Sequence, residues 1–161
     1  MARPRASGAH VVFHRMLPVS HKHSLRAVLL CKRTLDAPIH PAYWSLFGGR
    51  IEPGEQPKQA ALREVQEELG IPPNKIRLAD LCDVSVSRAD GSHTLRYFCS
   101  VLDLDMDCLT LRRSPEEAKV EAQGLGWFTA EEIHHMLVCQ EDRVAIASFF
   151  SGMVRRLSLS R

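Results

Sequence analysis

The chain has 161 residues, 45% of them hydrophobic, which is enough for one domain that spans residues 1–161 and buries its own core. Its formal net charge of +2 is close to neutral, which disfavours nucleic acid as a partner. The N-terminus lacks an apolar signal-like segment, and no apolar run approaches the length of a membrane span, so we expect no membrane partner.

The cysteines indicate a reducing environment. They are Cys31, Cys82, Cys99, Cys108 and Cys139, an odd number without any Cys-x-x-Cys pair. Cys31, Cys82 and Cys99 lie within apolar, strand-like segments, where a small buried thiol is the usual interpretation. We therefore expect free thiols and a cytoplasmic protein.

The chain before residue 50 predicts short strands and loops. Residues 1–8 are small and basic and are expected to be frayed, and residues 11–13 begin an extended segment. Residues 15–24 are interpreted as a loop, and residues 25–32, rich in aliphatic side chains, as a buried strand. Residues 44–47 are expected to form a short strand.

A short amphipathic helix is predicted next. Pro57 suits the first helical position, and Gly70 suits a left-handed C-cap. Glu64, Glu67 and Glu68 are spaced i, i+3 and i+4, so they share one side of this helix. The opposite, apolar side comprises Ala61, Leu62, Val65 and Leu69. The acidic side has two interpretations, a solvated face or a cation site, since carboxylate oxygens are the ligands that Mg²⁺ prefers.

The second half of the chain predicts a hairpin followed by helices. Residues 76–87 and 93–102 are expected to be strands, joined by a turn with Asp90-Gly91 at its centre. Residues 103–119 are interpreted as an exposed loop and residues 125–128 as a strand.

Two helices are expected after this strand. The sequence from Thr129 to Glu132 is a capping box, which predicts a helix that runs to about residue 138. A last helix is expected over residues 141–157. Strands on both sides of a central helix, followed by more helix, favour an α/β sandwich.

Residues 49–71 contain a larger pattern of fixed spacing. Its members are Gly49, Glu55, Arg63, Glu64, Glu67, Glu68 and Gly70, with Val65 and Ile71 at aliphatic positions. This pattern resembles the Nudix box, the signature of the Nudix hydrolases, although Phe47 stands where many members have proline before the two glycines. The resemblance implies a mixed β-sheet sandwiched between helices, and a divalent-metal site that cleaves diphosphate linkages.

The resemblance also implies roles for individual residues. The ligands of a Mg²⁺ or Mn²⁺ ion would be Glu64, Glu68, Glu67 and the backbone carbonyl of Gly48. The catalytic set would be Glu55, Arg63, Glu64, Glu67 and Glu121. Glu55 would position the attacking water or a neighbouring carboxylate. Arg63 precedes Glu67 by four residues, so an ion pair between them would fix the carboxylate.

Three residues outside the box have two interpretations each. Glu121 lies six residues before Trp127, where relatives carry a glutamate that completes the metal site or acts as base, and it is otherwise a surface residue of its loop. Trp44 either packs in the core, which we favour, or lines a base pocket. Tyr97 and Phe98 alternate on a strand, so one is expected to point inward and one outward. An outward Tyr97 would be a surface residue or a platform for a nucleobase.

The sequence therefore predicts a metal-dependent pyrophosphohydrolase with a small-molecule nucleotide substrate. Markers linked in relatives with ADP-ribose, dinucleoside polyphosphates, coenzyme A and reduced pyridine nucleotides are not evident, which favours nucleoside triphosphates, including oxidised ones. The alternatives are an ADP-ribose or nucleotide-sugar pyrophosphatase, a catalytically silent nucleotide sensor and an RNA-end hydrolase. Whether the protein forms a homodimer is left open.

Overall fold

The computed structural model describes residues 5–104, 109 and 122–158. The strands in these residues are β1 Gly8–Ser20, β2 His23–Arg33, β3 Trp44–Ser45, β4 Phe47–Arg50, β5 Ala79–Arg88, β6 Gly91–Val101 and β7 Ala122–Thr129. The helices are α1 Pro57–Leu69, α2 Ala130–His134 and α3 Gln140–Ser158, with a short 3-10 helix at Pro73–Lys75.

The strands of the described residues form one mixed sheet. Its main path runs β3-β2-β1-β6-β5, while β4 pairs with β1 and β7 pairs with β2. The pairing of β1 with β6 is parallel, and the other strand pairings are antiparallel. Consecutive residues of β1, from Val11 to Phe13, are fully buried. Because successive side chains point to opposite faces, both faces of the sheet must be covered.

Two apolar clusters cover the two faces. Val11, Phe13 and Phe47 belong to the cluster that includes Val65 and Leu69 of α1. Val12, Val28 and Tyr97 belong to the cluster that includes Ala145, Ile146 and Phe149 of α3. The predicted mixed sheet between helices is therefore confirmed, with α1 on one face and α3 on the other. Phe47, which precedes the two glycines of β4, is fully buried in the α1 cluster.

The N-terminal predictions were wrong in two places. Residues 15–24 are the two arms and the turn of a β1–β2 hairpin, paired from His14↔Val28 to Ser20↔His23. The side chains at the turn, residues 20–24, are exposed and polar. The apolar Met16, Val19 and Leu25 in the adjoining arms are exposed as well, so no alternation of buried apolar and exposed polar residues marked these strands in the sequence. Residues 6–8 are not frayed, since Ser7 N–H donates to Thr94 O at 2.8 Å and Ile51 N–H donates to Ser7 O at 3.1 Å.

The prediction that one of Tyr97 and Phe98 points outward was also wrong. Each is 1% exposed, Tyr97 in the α3 cluster and Phe98 in the α1 cluster. The two side chains do alternate, but both faces of this sheet are buried. Trp44 is half-buried against the α3 cluster. Its ring meets that of Phe128 edge-on, with the ring centres 4.8 Å apart, which confirms the favoured core interpretation.

The capping box at Thr129 is confirmed, but α2 is shorter than predicted. Thr129 N–H donates to Glu132 Oε2 at 2.7 Å, and Glu132 N–H donates to Thr129 Oγ1 at 3.4 Å. The helix ends at His134 because the following backbone pairs with β3. Trp44 N–H donates to Leu137 O at 2.8 Å, and Cys139 N–H donates to Trp44 O at 3.0 Å.

Cys31, Cys82 and Cys139 are free thiols, as predicted. Burial raises the pKa of Cys31 and of Cys139 to about 12, so both thiols are protonated at neutral pH. Cys108 and most of the predicted loop at 103–119 lie outside the described residues. Within the described part of the chain, no helix is both long and apolar enough to cross a membrane.

Candidate metal and catalytic site

The position of α1 fixes one side of the site. The helix begins at Pro57 and ends where Gly70 adopts a left-handed conformation with φ 69°, as predicted from both residues. Its buried side comprises Ala60, Ala61, Val65 and Leu69. This anchoring against the sheet turns the side that carries Arg63, Glu64, Glu67 and Glu68 toward β4 and the loop before α1.

Arg63 connects the carboxylates of this side. Its guanidinium makes a bidentate contact with Glu55, with Nε to Oε1 at 3.0 Å and Nη2 to Oε2 at 3.1 Å. Its Nη1 donates to Glu64 Oε1 at 2.9 Å and to Glu67 Oε2 at 3.4 Å, the latter being the predicted i, i+4 pair. Its Nη2 also donates to Arg50 O at 3.0 Å, at the end of β4. Bidentate pairing of this kind is strongly directional, so Arg63 sets the orientation of its partners.

The charges of these groups depend on one another. The hydrogen bonds from Arg63 hold the pKa of Glu55 below its ordinary value, and those to Glu55 raise the pKa of Arg63. Burial raises the pKa of Glu64, while the hydrogen bond from Arg63 opposes that shift. The Glu64 side chain is only 17% exposed. A poorly solvated carboxylate of this kind gains more from a nearby cation than an exposed one does.

The backbone of β4 lies directly against the carboxylates of α1. Gly48 N–H donates to Glu68 Oε2 at 3.1 Å. The Cα of Gly49 faces the Glu64 carboxyl so closely that an added Cβ would lie 2.6 Å from its Cδ. The two glycines thus give β4 a bare backbone surface beside Glu64 and Glu68.

Gly49→Ala should impair turnover far more than stability. The three atoms nearest to the added methyl group all belong to the Glu64 carboxyl group, so the fold can adapt by moving that carboxylate. Moving a ligand or its neighbour typically costs about 10–100-fold in metal affinity or activity. We expect a loss of this size in turnover at limiting Mg²⁺, with a melting temperature near that of the wild type. A large fall in melting temperature with normal turnover would contradict this geometry.

The donor set suits a hard divalent cation. Mg²⁺ and Mn²⁺ prefer oxygen ligands. The box offers the carboxylate oxygens of Glu64, Glu67 and Glu68 and the backbone carbonyl oxygen of Gly48. In the described part of the chain, no three or more His, Cys, Asp or Glu side chains converge on one point. Arg63 instead engages Glu64 and Glu67. Of the carboxylates paired with it, that of Glu67 is the most exposed at 37%, so it has the most room to turn.

Three further residues were candidates for the site, Glu121, Trp44 and Tyr97. Glu121 lies outside the described residues. Trp44 and Tyr97 belong to the cluster under α3, on the sheet face opposite the box helix. Neither ring can therefore stack on a nucleotide held at the box carboxylates.

A different aromatic residue lies on the face of the box helix. Trp127 packs against the α1 cluster, and the Arg15 guanidinium lies 4.4 Å from the centre of its ring. Arg15 Nη1 donates to Leu104 O at 3.2 Å, whereas Arg15 Nε and Trp127 Nε1 are buried without a hydrogen-bond partner among the described residues. The alternation of Leu125 and Trp127 along β7 could have indicated that Trp127 lies on the face of α1. Arg15 could not be placed from the sequence, because residues 15–24 were interpreted as a loop.

The geometry agrees with comparisons to known proteins. The family model for the NUDIX domain matches residues 16–149. Nucleoside triphosphatase NudI of Escherichia coli O17:K52:H18 (strain UMN026 / ExPEC) is 33% identical over 118 residues, which cover 68% of this chain and 77% of that protein.

Solved structures show the same fold. An Ap4A hydrolase binary complex from C. elegans aligns with a TM-score of 0.69 at 20% identity, covering 93% of this chain and 98% of that one. The NUDIX domain of Shewanella oneidensis NrtR, solved with ADP ribose, aligns with a TM-score of 0.68 at 16% identity, covering 94% and 90%. The chain therefore belongs to the NUDIX family and is a hydrolase of phosphoric anhydride linkages in nucleotide derivatives.

Proposed function

We propose that this NUDIX hydrolase cleaves nucleoside triphosphates, with Mg²⁺ or Mn²⁺ held by the carboxylates of the box helix. The observation that carries the proposal is the contact between α1 and β4, where Glu64 and Glu68 meet the bare backbone of Gly48 and Gly49. The choice of triphosphates is supported by the NudI relative, which is a nucleoside triphosphatase. ADP-ribose is a weaker candidate, since the NrtR likeness concerns the fold alone.

The roles of the residues follow from their contacts. Glu64 and Glu68, with Glu67 and the carbonyl of Gly48, would hold the cation. When bound, such a cation neutralises phosphate oxygens, orients an attacking water and stabilises the leaving phosphate. Glu55 acts through Arg63, whose guanidinium it fixes by two hydrogen bonds. The water adds to a phosphorus of the diphosphate bridge and gives a proton to a base, for which Glu121 is the candidate. The bond from that phosphorus to the bridging oxygen breaks, and the bridging oxygen leaves with the departing phosphate.

The base end of the substrate is proposed to lie toward Trp127 and Arg15. Both belong to the sheet face that carries the box helix, and both present a buried N–H donor without a partner among the described residues. Donors of this kind match the acceptor atoms of a base or ribose. We also propose that the protein is cytoplasmic, that its ion is Mg²⁺ or Mn²⁺, and that residues 1–161 form a single domain.

Glu121→Gln should lower kcat with little change in KM, if this glutamate acts as the base or completes the metal site. A positioned acid or base typically contributes about 10²–10⁴-fold in rate. Glu116→Gln and Glu117→Gln are matched controls, because these two glutamates lie shortly before Glu121 in the sequence but lack its spacing to Trp127. Steady-state measurements of kcat and KM for the three variants would show whether Glu121 has this role. Three similar, mild effects would remove Glu121 from the site.

The substrate proposal is tested with a panel of nucleotides. The purified protein would be incubated with Mg²⁺ or Mn²⁺ and nucleoside triphosphates, ADP-ribose, a nucleotide sugar or a dinucleoside polyphosphate, and the products identified by mass. We expect triphosphates to be cleaved with the highest kcat/KM, and Glu64→Gln to be inactive, which controls for contaminating phosphatases. Faster cleavage of ADP-ribose or a nucleotide sugar would overturn the substrate class. Nucleotide binding without any cleavage would favour a sensor.

A further inference from the structure

Asp142 is a buried carboxylate on the side of the sheet away from the box. It lies in the first turn of α3 and is 5% exposed. Its Oδ2 accepts a hydrogen bond from Leu46 N–H at 2.9 Å, and its Oδ1 accepts one from the Tyr97 hydroxyl at 2.8 Å. Burial, reinforced by the neighbouring Asp142 charge, raises the pKa of Tyr97, so the hydroxyl keeps the proton that it donates.

The first of these bonds leads directly to the candidate metal site. Leu46 is the residue between β3 and β4, and it is followed by Phe47, Gly48 and Gly49. Gly48 N–H in turn donates a hydrogen bond to the Glu68 carboxylate of α1. Asp142 of α3 and Glu68 of α1 lie on opposite faces of the sheet. They accept hydrogen bonds from Leu46 N–H and Gly48 N–H, which are two residues apart in the same short segment.

The same segment is also restrained by its pairing with β1. Ala9 pairs with Gly49 and His10 with Gly48, so the segment cannot move toward β1. An added Cβ at Gly48 would lie 2.2 Å from Ala9 O. Asp142 thus completes the restraint on a backbone stretch that contributes the Gly48 carbonyl and the bare surface beside Glu64.

Packing alone does not account for a carboxylate at this position. A buried carboxylate carries a desolvation cost, and an apolar side chain of similar volume is often as stabilising or more so. The positive end of the α3 dipole reduces this cost, but it would favour an exposed acid equally well. What an apolar side chain cannot do is to accept the Leu46 N–H and fix its direction.

We propose that Asp142 is a positioning residue for the metal site, which acts by fixing Leu46 and thereby the Gly48–Gly49 backbone against Glu64 and Glu68. Its effect on turnover rests on the proposed function, but its effect on the backbone does not. Both oxygens of Asp142 are engaged, so the residue itself takes no part in the chemistry.

The test compares Asp142→Ala with Asp142→Asn and with Ile146→Ala. The asparagine amide can still accept from Leu46 and donate to the Tyr97 oxygen, so it should restore the wild-type behaviour. Ile146 is 3% exposed in the same cluster one turn further along α3, so its truncation lowers stability without removing the Leu46 bond. Tyr97→Phe keeps the Leu46 bond and serves as a second variant if Asp142→Ala fails to fold.

Two measurements are made on each full-length variant. The first is hydrogen exchange of the Gly48 amide, relative to amides of the central strand β1, which corrects for any change in global stability. The second is the apparent dissociation constant for Mn²⁺, from the electron paramagnetic resonance signal of the free ion. For Asp142→Ala we expect about tenfold faster relative exchange and about tenfold weaker Mn²⁺ binding, since supporting residues of metal sites typically contribute 10–100-fold. Asp142→Asn, Tyr97→Phe and Ile146→Ala should remain within about twofold of the wild type.

The outcomes separate this proposal from the proposed function. Unchanged Gly48 exchange in Asp142→Ala would overturn the positioning role, whatever the enzyme's activity. Equal losses in Ile146→Ala would overturn it too, by showing a general effect of loosening α3. If Asp142→Ala fails to fold, a tenfold loss in Tyr97→Phe, which retains the Leu46 bond, would likewise overturn it. If Gly48 exchange and Mn²⁺ binding change as expected while the wild type cleaves no nucleotide, the positioning role stands and the proposed function fails.

Discussion

Glu68→Gln is expected to lower nucleotide turnover by about 10²–10³-fold while the protein stays folded. A bound metal contributes several kcal/mol of charge stabilisation to the reaction, and each 1.36 kcal/mol corresponds to a factor of ten in rate. The glutamine removes a charged ligand but keeps the size of the side chain. Its amide oxygen can still accept the hydrogen bond that Gly48 N–H donates to Glu68 at 3.1 Å.

The measurement is kcat/KM at saturating Mg²⁺, together with the melting temperature. Glu52→Gln is the matched control, since Glu52 lies in the same acidic segment with an exposed side chain. Turnover near the wild-type rate in Glu68→Gln would show that this carboxylate is not a ligand. An equal loss in Glu52→Gln would point to a general effect of charge instead.

Gly48→Ala should destabilise the protein more than Gly54→Ala, the same substitution at the other positive-φ glycine of the segment between β3 and α1. Gly48 has φ 139°, which side chains rarely tolerate, and its added Cβ would lie 2.2 Å from Ala9 O and 2.6 Å from His10 Cα. These contacts are with backbone, so no side chain can turn away to relieve them. Backbone strain and overpacking each cost about 1–3 kcal/mol, so the free energy of unfolding should fall by roughly 2–6 kcal/mol.

Gly54→Ala provides the comparison for this effect. Gly54 also has a positive φ, of 82°, but an added Cβ there would meet nothing within 4 Å. It should therefore show strain alone, at about 1–2 kcal/mol. Urea unfolding of the two variants would measure both values. Similar losses at both positions would mean that the close approach of β4 to β1 is not as described.

The box helix could be predicted from sequence because its determinants are local. Pro57 and Gly70 mark its ends, and the spacing of its apolar and acidic residues sets its two sides. The pairing of Arg63 with Glu67 followed from their separation by four residues. The arms of the hairpin from Gly8 to Arg33 had no such local mark near their turn, since exposed strands are held by backbone pairing that leaves no apolar pattern.

The remaining features depend on contacts between distant parts of the chain. The end of α2 is set by backbone pairing between Trp44 and residues 137–139. The burial of Tyr97 is set by α3, which covers the second face of the sheet. The bond from Leu46 to Asp142 joins residues 96 positions apart. None of these contacts has a signature in the local sequence, so they could be found only once the sheet and its two covering helices were known.

We propose that the carboxylates of the box helix hold the divalent cation on which hydrolysis depends. The most direct measurement is a titration with Mn²⁺, followed by the electron paramagnetic resonance signal of the free ion, on the wild type and on the Glu64→Gln/Glu68→Gln double variant. We predict that the wild type takes up Mn²⁺, and that the double variant, with an unchanged circular dichroism spectrum, takes up little. Equal uptake by the two proteins would contradict the account, because the cation would then be bound elsewhere.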